Sequence, residues 1–172
     1  NIRGLELMAE PKDGAIEMVF PVYSTSPAAA PPELLAALGL THARNAEFNA
    51  ETRILLLEIE STDTLARLSP DFAALVRSHS AINGVLVTAP AADGFDFHSR
   101  YFWPWSGTNE DAVTGGTHTF LARYWADRLG RTRLRSFQSS ERSGSMEVEL
   151  AEGKLLIRAH AVIVLRGEIL AP

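Results

Sequence analysis

Residues 116–130, GTHTFLARYWADRLG, decide how the rest of the chain is read. Phe120, Leu121, Tyr124, Trp125 and Leu129 recur at three- and four-residue spacing, which gathers apolar side chains on one face of an α-helix. Gly130 follows where a helix ends on a residue free to turn left-handed. Working outward, residues 85–88 and 95–102 read as strands joined by an Ala/Asp/Gly turn at 91–94. Beyond the helix, residues 134–138, 146–150, 155–159 and 162–165 read as four short strands separated by Gly- or Ser-containing turns. Many short strands around few helices predict an α+β domain.

Upstream, Leu5, Leu7 and Ala9 alternate with polar neighbours, Pro11 to Gly14 reads as a turn, and Ile16, Met18 and Phe20 alternate again, a β-hairpin. Residues 21–32, with Pro27, Pro31 and Pro32 among alanines, read as a linker. Pro31-Pro32 then suits the first turn of a helix through Leu34, Leu35 and Leu38 that Gly39 would end. Residues 53–59 are a nearly continuous aliphatic run of strand length. Residues 62–68 and 70–78 carry helical spacing, with Asp63 or Ser69 as candidate caps. An isolated hairpin is marginal in water, so the first one is expected to pack on something else. The organisation expected is a hairpin over 1–20, a linker over 21–32 and a lobe over 33–172.

The 172 residues are 46% apolar and 22% charged, an ordinary globular composition, with a formal net charge of -5. Basic residues are scattered apart from a cluster between Arg128 and Arg135, which argues against nucleic acid as a partner. With no cysteine, disulfides, thiolate metal sites and a cysteine nucleophile are excluded. No apolar run approaches the length of a membrane span and residues 1–4 have no signal-peptide character, so no membrane partner and a cytoplasmic location are expected.

Chemistry concentrates in residues 107–118, GTNEDAVTGGTH, rich in polar residues and glycine ahead of the strong helix. The first amides of a helix have no internal partners, so Thr114, Gly115, Gly116 and Thr117 are suited to cradle an anion such as a substrate carboxylate. The plainer reading is that Thr114 or Thr117 caps the helix and the glycines relieve crowding. Asp111 is a candidate general acid, since a carboxyl in a closed apolar cleft rises toward the pKa that proton transfer needs, and composition equally allows a loop residue hydrogen-bonding its own backbone. Its neighbour Glu110 reads as a solvated charge. His118, in the first helical turn, suits either the site or a structural bond to a neighbouring carbonyl. His98 and His160 read as solvent-facing and His42 and His79 as loop residues, and without an HxxxH or HxH pair no metal is expected. Tyr101, Phe102, Trp103, Trp105, Tyr124 and Trp125 read as core aromatics.

The order of these pieces is more specific than any one of them. Ser99 to Pro104, Gly107, Glu110 to His118, Tyr124-Trp125, Leu129-Gly130 and Gln138 to Gly144 together resemble the PhzF family, which typically reads S-R-x-F-x-P, G-x-x-E-D-P-V-T-G-S-A-H, L-G and Q-x-S-x-R-G-G in this order. The resemblance implies a diaminopimelate-epimerase-like fold in which two lobes each wrap a mixed β-barrel around a central helix. Residues 1–20 would be the last hairpin of the first lobe and the last strand would return to it.

The resemblance further implies an isomerase or epimerase that moves a proton on a small carboxylate substrate without a cofactor. Asp111 matches the family's acid, residues 114–118 (Thr114, Gly115, Gly116, Thr117 and His118) match the substrate-binding turn, and Gln138, Ser140 and Arg142 match a supporting motif. Family Pro, Ser, Ala and Gly become Ala112, Gly116, Thr117 and Ser143. The family's catalytic glutamate belongs to the first lobe and no segment here matches it, so a homodimer or a companion chain is the expected partner. A non-catalytic small-molecule-binding or scaffold protein on the same fold is the alternative.

Overall fold

In the computed structural model, which describes residues 7–168, the chain runs β1 (Met8–Lys12), β2 (Ala15–Pro21), β3 (Ser26–Pro27), α1 (Pro32–Leu38), β4 (Asn45–Asn49) and β5 (Ile54–Glu58). It continues through α2 (Thr62–Arg67), α3 (Phe72–Ser78), β6 (Gly84–Pro90) and β7 (Phe97–Trp103), then a 3-10 turn at Pro104–Ser106 and β8 (Thr108–Asp111). It closes with α4 (His118–Leu129), β9 (Arg133–Gln138), β10 (Gly144–Ala151) and β11 (Lys154–Ala159). Leu5, part of the first predicted strand, lies outside the described residues.

The eleven strands of the described residues join one mixed sheet in the order β1-β2-β11-β10-β9-β7-β6-β5-β4-β3, with β8 paired to β7 off this path. Two pairs are parallel, β5 with β6 and β7 with β9. Parallel neighbours need a crossover, and the two crossovers carry α2 and α3 between β5 and β6 and α4 between β7 and β9, while α1 joins β3 to β4.

The sheet separates two apolar layers. On the inner face α4 is the core: its residues from His118 to Ala122 and from Tyr124 to Ala126 are buried, and they pack with Ile54, Leu86, Phe97, Leu134, Val148 and Ile157, drawn from six strands. The sheet thus wraps around α4. On the outer face Leu55, Leu57, Val85, Val87 and Phe102 pack under Leu34, Leu38, Leu65 and Leu75 of the three short helices. Burial on both faces is why residues 54–57 form an unbroken aliphatic run where a half-exposed strand would alternate. At the far end of α4 the Tyr124 hydroxyl donates to Glu58 at 2.5 Å and the Arg128 guanidinium lies 3.4 Å from the Tyr124 ring centroid. Burial first, then the Glu58 bond, pushes that phenol upward.

Several sequence expectations are corrected. Residues 162–165 form no strand; Val162, Ile163, Val164 and Leu165 are 72–89% exposed. Strands β3, β4 and β8 carry too many polar residues to have been predicted. Ser61 and Asp71 cap α2 and α3 in place of Asp63 and Ser69, because their side chains accept the amides of Thr64 and Ala74. His98 is buried, its ring lying against Phe95 and Phe137. The first hairpin packs on β11, with β2 paired from Lys154↔Pro21 to Ala159↔Ile16. Among the described residues no helix is long and apolar enough to cross a membrane.

Candidate active site

Strand β8 runs antiparallel to β7, with Asp111 opposite Tyr101 and Glu110 opposite Phe102. Successive side chains on a strand face opposite ways. Glu110 therefore joins the outer face, where Phe102 packs under the short helices, and Asp111 joins the inner face beside Tyr101. Glu110 is not the solvated charge its composition suggests. Arg100 donates to both its carboxylate oxygens, Nε to Oε1 at 2.7 Å and Nη2 to Oε2 at 2.8 Å, with the two side chains only 11% and 17% exposed. Arg100 Nη1 also donates to the carbonyls of Leu68 and Leu65 at the end of α2, at 2.7 and 3.2 Å.

After Asp111 the chain turns into α4 through residues 112–117, and four side chains hold this loop. The Thr114 hydroxyl donates to Asp111 Oδ2 at 2.6 Å. Gln138, fully buried, accepts the Thr114 amide at 2.8 Å on its carbonyl oxygen and donates from Nε2 to the Asp111 carbonyl at 2.6 Å. Ser140 donates to the Ala112 carbonyl and accepts the Ser143 amide. His118 donates from Nδ1 to the Thr114 carbonyl at 2.9 Å and accepts on Nε2 from the Ser136 hydroxyl at 3.0 Å. A carbonyl can only accept, so the first of these contacts fixes the His118 tautomer. Its complete burial disfavours the imidazolium and pushes the pKa down to about 4.

The structure therefore brings Asp111, Thr114, Gly115, Gly116 and Thr117 together at one loop, and places His118, Gln138 and Ser140 beneath it as its fastenings. Arg142 lies exposed at the tip of the Ser140–Ser143 turn and makes no ion pair among the described residues. Neither threonine side chain caps α4: Thr117 occupies the N-cap position, but its hydroxyl donates to the Thr114 carbonyl. The amides of Gly115, Gly116 and Thr117 donate no hydrogen bond among the described residues. A Cβ on Gly115 would meet Phe20 at 3.6 Å and Ile157 at 3.9 Å, ordinary contacts, whereas one on Gly116 would meet open space. Neither glycine is therefore demanded by crowding; Gly116 is exposed and Gly115 half-buried, while Thr117 is buried.

Tyr101 is core, as its aromatic neighbours suggest, but it also borders the site. Burial, with the Asp111 charge behind it, pushes its phenol up to about 12. Reading residues singly missed Arg100 as the partner of Glu110. The available signal was an arginine as the one full-time charge in a strand bounded by Phe97, Tyr101, Phe102 and Trp103, where a buried charge needs a counter-charge.

Comparison with known proteins places the chain in a family. The family model for phenazine biosynthesis-like protein, PhzC-PhzF, matches residues 5–167. An uncharacterized isomerase of Pseudomonas aeruginosa is 38% identical over 167 residues, covering 97% of this chain and 62% of its own length. The phenazine biosynthesis-like domain-containing protein 2 of Mus musculus is 32% identical, covering 96% and 62%. Among solved structures, a PhzF-family phenazine biosynthesis protein from Enterococcus faecalis superposes with a TM-score of 0.85 at 33% identity, over 95% of this chain and 60% of its own. A PhzC/PhzF protein from Clostridium difficile gives 0.82 at 28%, over 95% and 61%. The chain thus spans about three fifths of the length of these relatives. With its motifs in order, its sheet wrapped around α4 and its match along nearly the whole length, the chain belongs to the phenazine biosynthesis-like, or PhzF, family of α+β proteins with a diaminopimelate-epimerase-like fold.

Proposed function

We propose that this chain forms part of an isomerase or epimerase that transfers a proton on a small carboxylate-bearing substrate by acid/base chemistry without a cofactor. The observation that carries the reading is the juxtaposition at one loop of the Asp111 carboxylate with three unpartnered amides, those of Gly115, Gly116 and Thr117. Amides at a helix start attract a carboxylate, but the helix end alone contributes only about 0.3–1 kcal/mol, so the amides must act together. Oδ2 of Asp111 is occupied by Thr114, and Oδ1 accepts no hydrogen bond among the described residues, which leaves it for a substrate.

In the reaction a C–H bond of the substrate breaks, its electron pair delocalises into the substrate, and a proton returns at the same or another carbon. Nothing is oxidised or reduced overall, so two positioned side chains suffice. Asp111 is one. The second is a glutamate in the portion of the relatives that this chain does not span, supplied by a companion chain or by the rest of a longer polypeptide. His118, neutral and bonded at both nitrogens, serves by holding the Thr114 carbonyl.

The second reading, a non-catalytic binding or scaffold protein, draws on Gly116, which carries no hydroxyl and faces open space where the family pattern has a serine. One experiment separates the two. Native mass spectrometry first identifies any companion polypeptide. The assembly is then incubated in D2O with a panel of small cyclic and α-substituted carboxylates, and carbon-bound deuterium is read by NMR. The enzyme reading expects incorporation that Asp111→Asn abolishes while thermal unfolding is unchanged. Incorporation at full rate in that variant removes Asp111 from the chemistry. Benzoate-induced shifts of the 115–117 amides without any deuterium incorporation favour the binder.

A further inference from the structure

We propose that the Arg100–Glu110 ion pair aims Asp111, both members acting as positioning residues for the acid/base site; the proposal rests on the reading of Asp111 given above. Strand β8 is four residues long, and its pairing with β7 is broken by a register shift between Phe102 and Trp103. So short and irregular a ladder fixes the rotation of β8 about its own axis poorly. Glu110 supplies what the ladder lacks. Its carboxylate is gripped at both oxygens by a guanidinium that cannot swing, because Nη1 of Arg100 is tied to the Leu65 and Leu68 carbonyls and its Cζ lies 4.9 Å from the Phe102 ring centroid.

Bidentate pairing constrains direction as well as distance, which a single contact does not. With Glu110 clamped toward the short helices, alternation turns the next side chain to the other face, where Asp111 meets the Thr114 hydroxyl. The pair couples the end of α2 to the site loop through one strand step.

The test separates geometry from stability with two variants of the same residue. Glu110→Asp keeps the charge but is one methylene shorter, so the double contact survives only if β8 shifts toward Arg100. Glu110→Gln keeps the length and loses the charge. The readout is the exchange rate of the Thr114 hydroxyl proton by NMR, set beside the urea midpoint of unfolding.

Positioning predicts that Glu110→Asp speeds that exchange by about tenfold or more, the size of an ordinary local opening, and Glu110→Gln by less. It also predicts that Glu110→Gln lowers the urea midpoint more. If hydroxyl exchange in Glu110→Asp stays within about twofold of wild type, or if exchange and midpoint rank the variants alike, the pair is a stabilising contact only and the proposal is overturned. Fast exchange already in the wild type overturns it too. Should Glu110→Asp not fold, Arg100→Lys breaks the two-point grip from the other side and is judged by the same comparison. None of these outcomes decides the reading of Asp111, which stands or falls on the deuterium experiment.

Discussion

His118 couples the site to pH. Its ordinary pKa is 6.5, and burial lowers it to about 4 in the folded chain. Between those values the unfolded chain binds a proton that the folded chain refuses, so the native state loses stability as pH falls from about 6.5 toward 4. Each unit of separation is about 1.4 kcal/mol, which puts the loss across the window at about 3 kcal/mol. Urea midpoints measured from pH 7 to 4 are expected to fall less steeply in His118→Gln than in wild type; the difference between the two isolates this residue from the other histidines. Equal slopes would mean that the ring is already charged or accessible.

Ser143 makes a second residue-scale case. It sits at φ +47°, in the left-handed region, at the position where the family pattern has glycine. An L-residue there costs on the order of 1–2 kcal/mol, partly offset by the greater freedom glycine has when unfolded. Ser143→Gly is expected to raise stability by about 0.5–1 kcal/mol, read as a higher midpoint in thermal or urea unfolding. A lower midpoint would show that the serine side chain holds the turn.

At the scale of elements, the site loop and the start of β10 fit through a contact that tolerates no side chain on one partner. A Cβ on Gly144 would lie 2.5 Å from Val113 Cγ2 and 3.2 Å from Cγ1. Valine is stiff at χ1, so relieving the overlap costs a rotamer change or a backbone shift. Gly144→Ala is expected to destabilise by about 1–3 kcal/mol and to disturb the 112–116 amides in an NMR spectrum, and Val113→Ala in the same chain to restore most of both. Failure of the second change to compensate would place the clash elsewhere. The same scale shows what could be read in advance. Helix α4 was legible because its repeat is local: Phe120, Leu121, Tyr124 and Trp125 mark a face whatever they pack on. Strand β8, TNED, was not, since nothing in four polar residues points to a strand until Tyr101 and Phe102 stand opposite to pair with them.

At the scale of the whole molecule, the most exposed apolar segment among the described residues follows β11. Val162 to Leu165 form a run of four apolar residues, each at least 72% exposed, and Met8 of the terminal strand β1 is 61% exposed. Large contiguous apolar exposure is the kind of surface that association buries, which makes this segment the one to test. Introducing lysine at Ile163 and Leu165 together is expected to leave the unfolding midpoint of the core unchanged while lowering self-association, or the retention of a companion chain, in native mass spectrometry. Unchanged assembly would free this segment from any role in it.

The order of motifs from Ser99 to Gly144, the apolar period of α4 and the two-sided aliphatic run of β5 were enough to identify an α+β protein of one family and to single out the loop that carries Asp111. Each of these signals lies within a few consecutive residues and survives without knowing what the segment packs against. Only tertiary structure decided that Glu110 is paired, that His98 is buried, that His118 and Gln138 fasten the loop from beneath and that residues 162–165 remain unpaired. Each depends on partners far along the chain or on neighbouring strands, and burial and hydrogen-bond satisfaction are properties of that juxtaposition and of no local sequence.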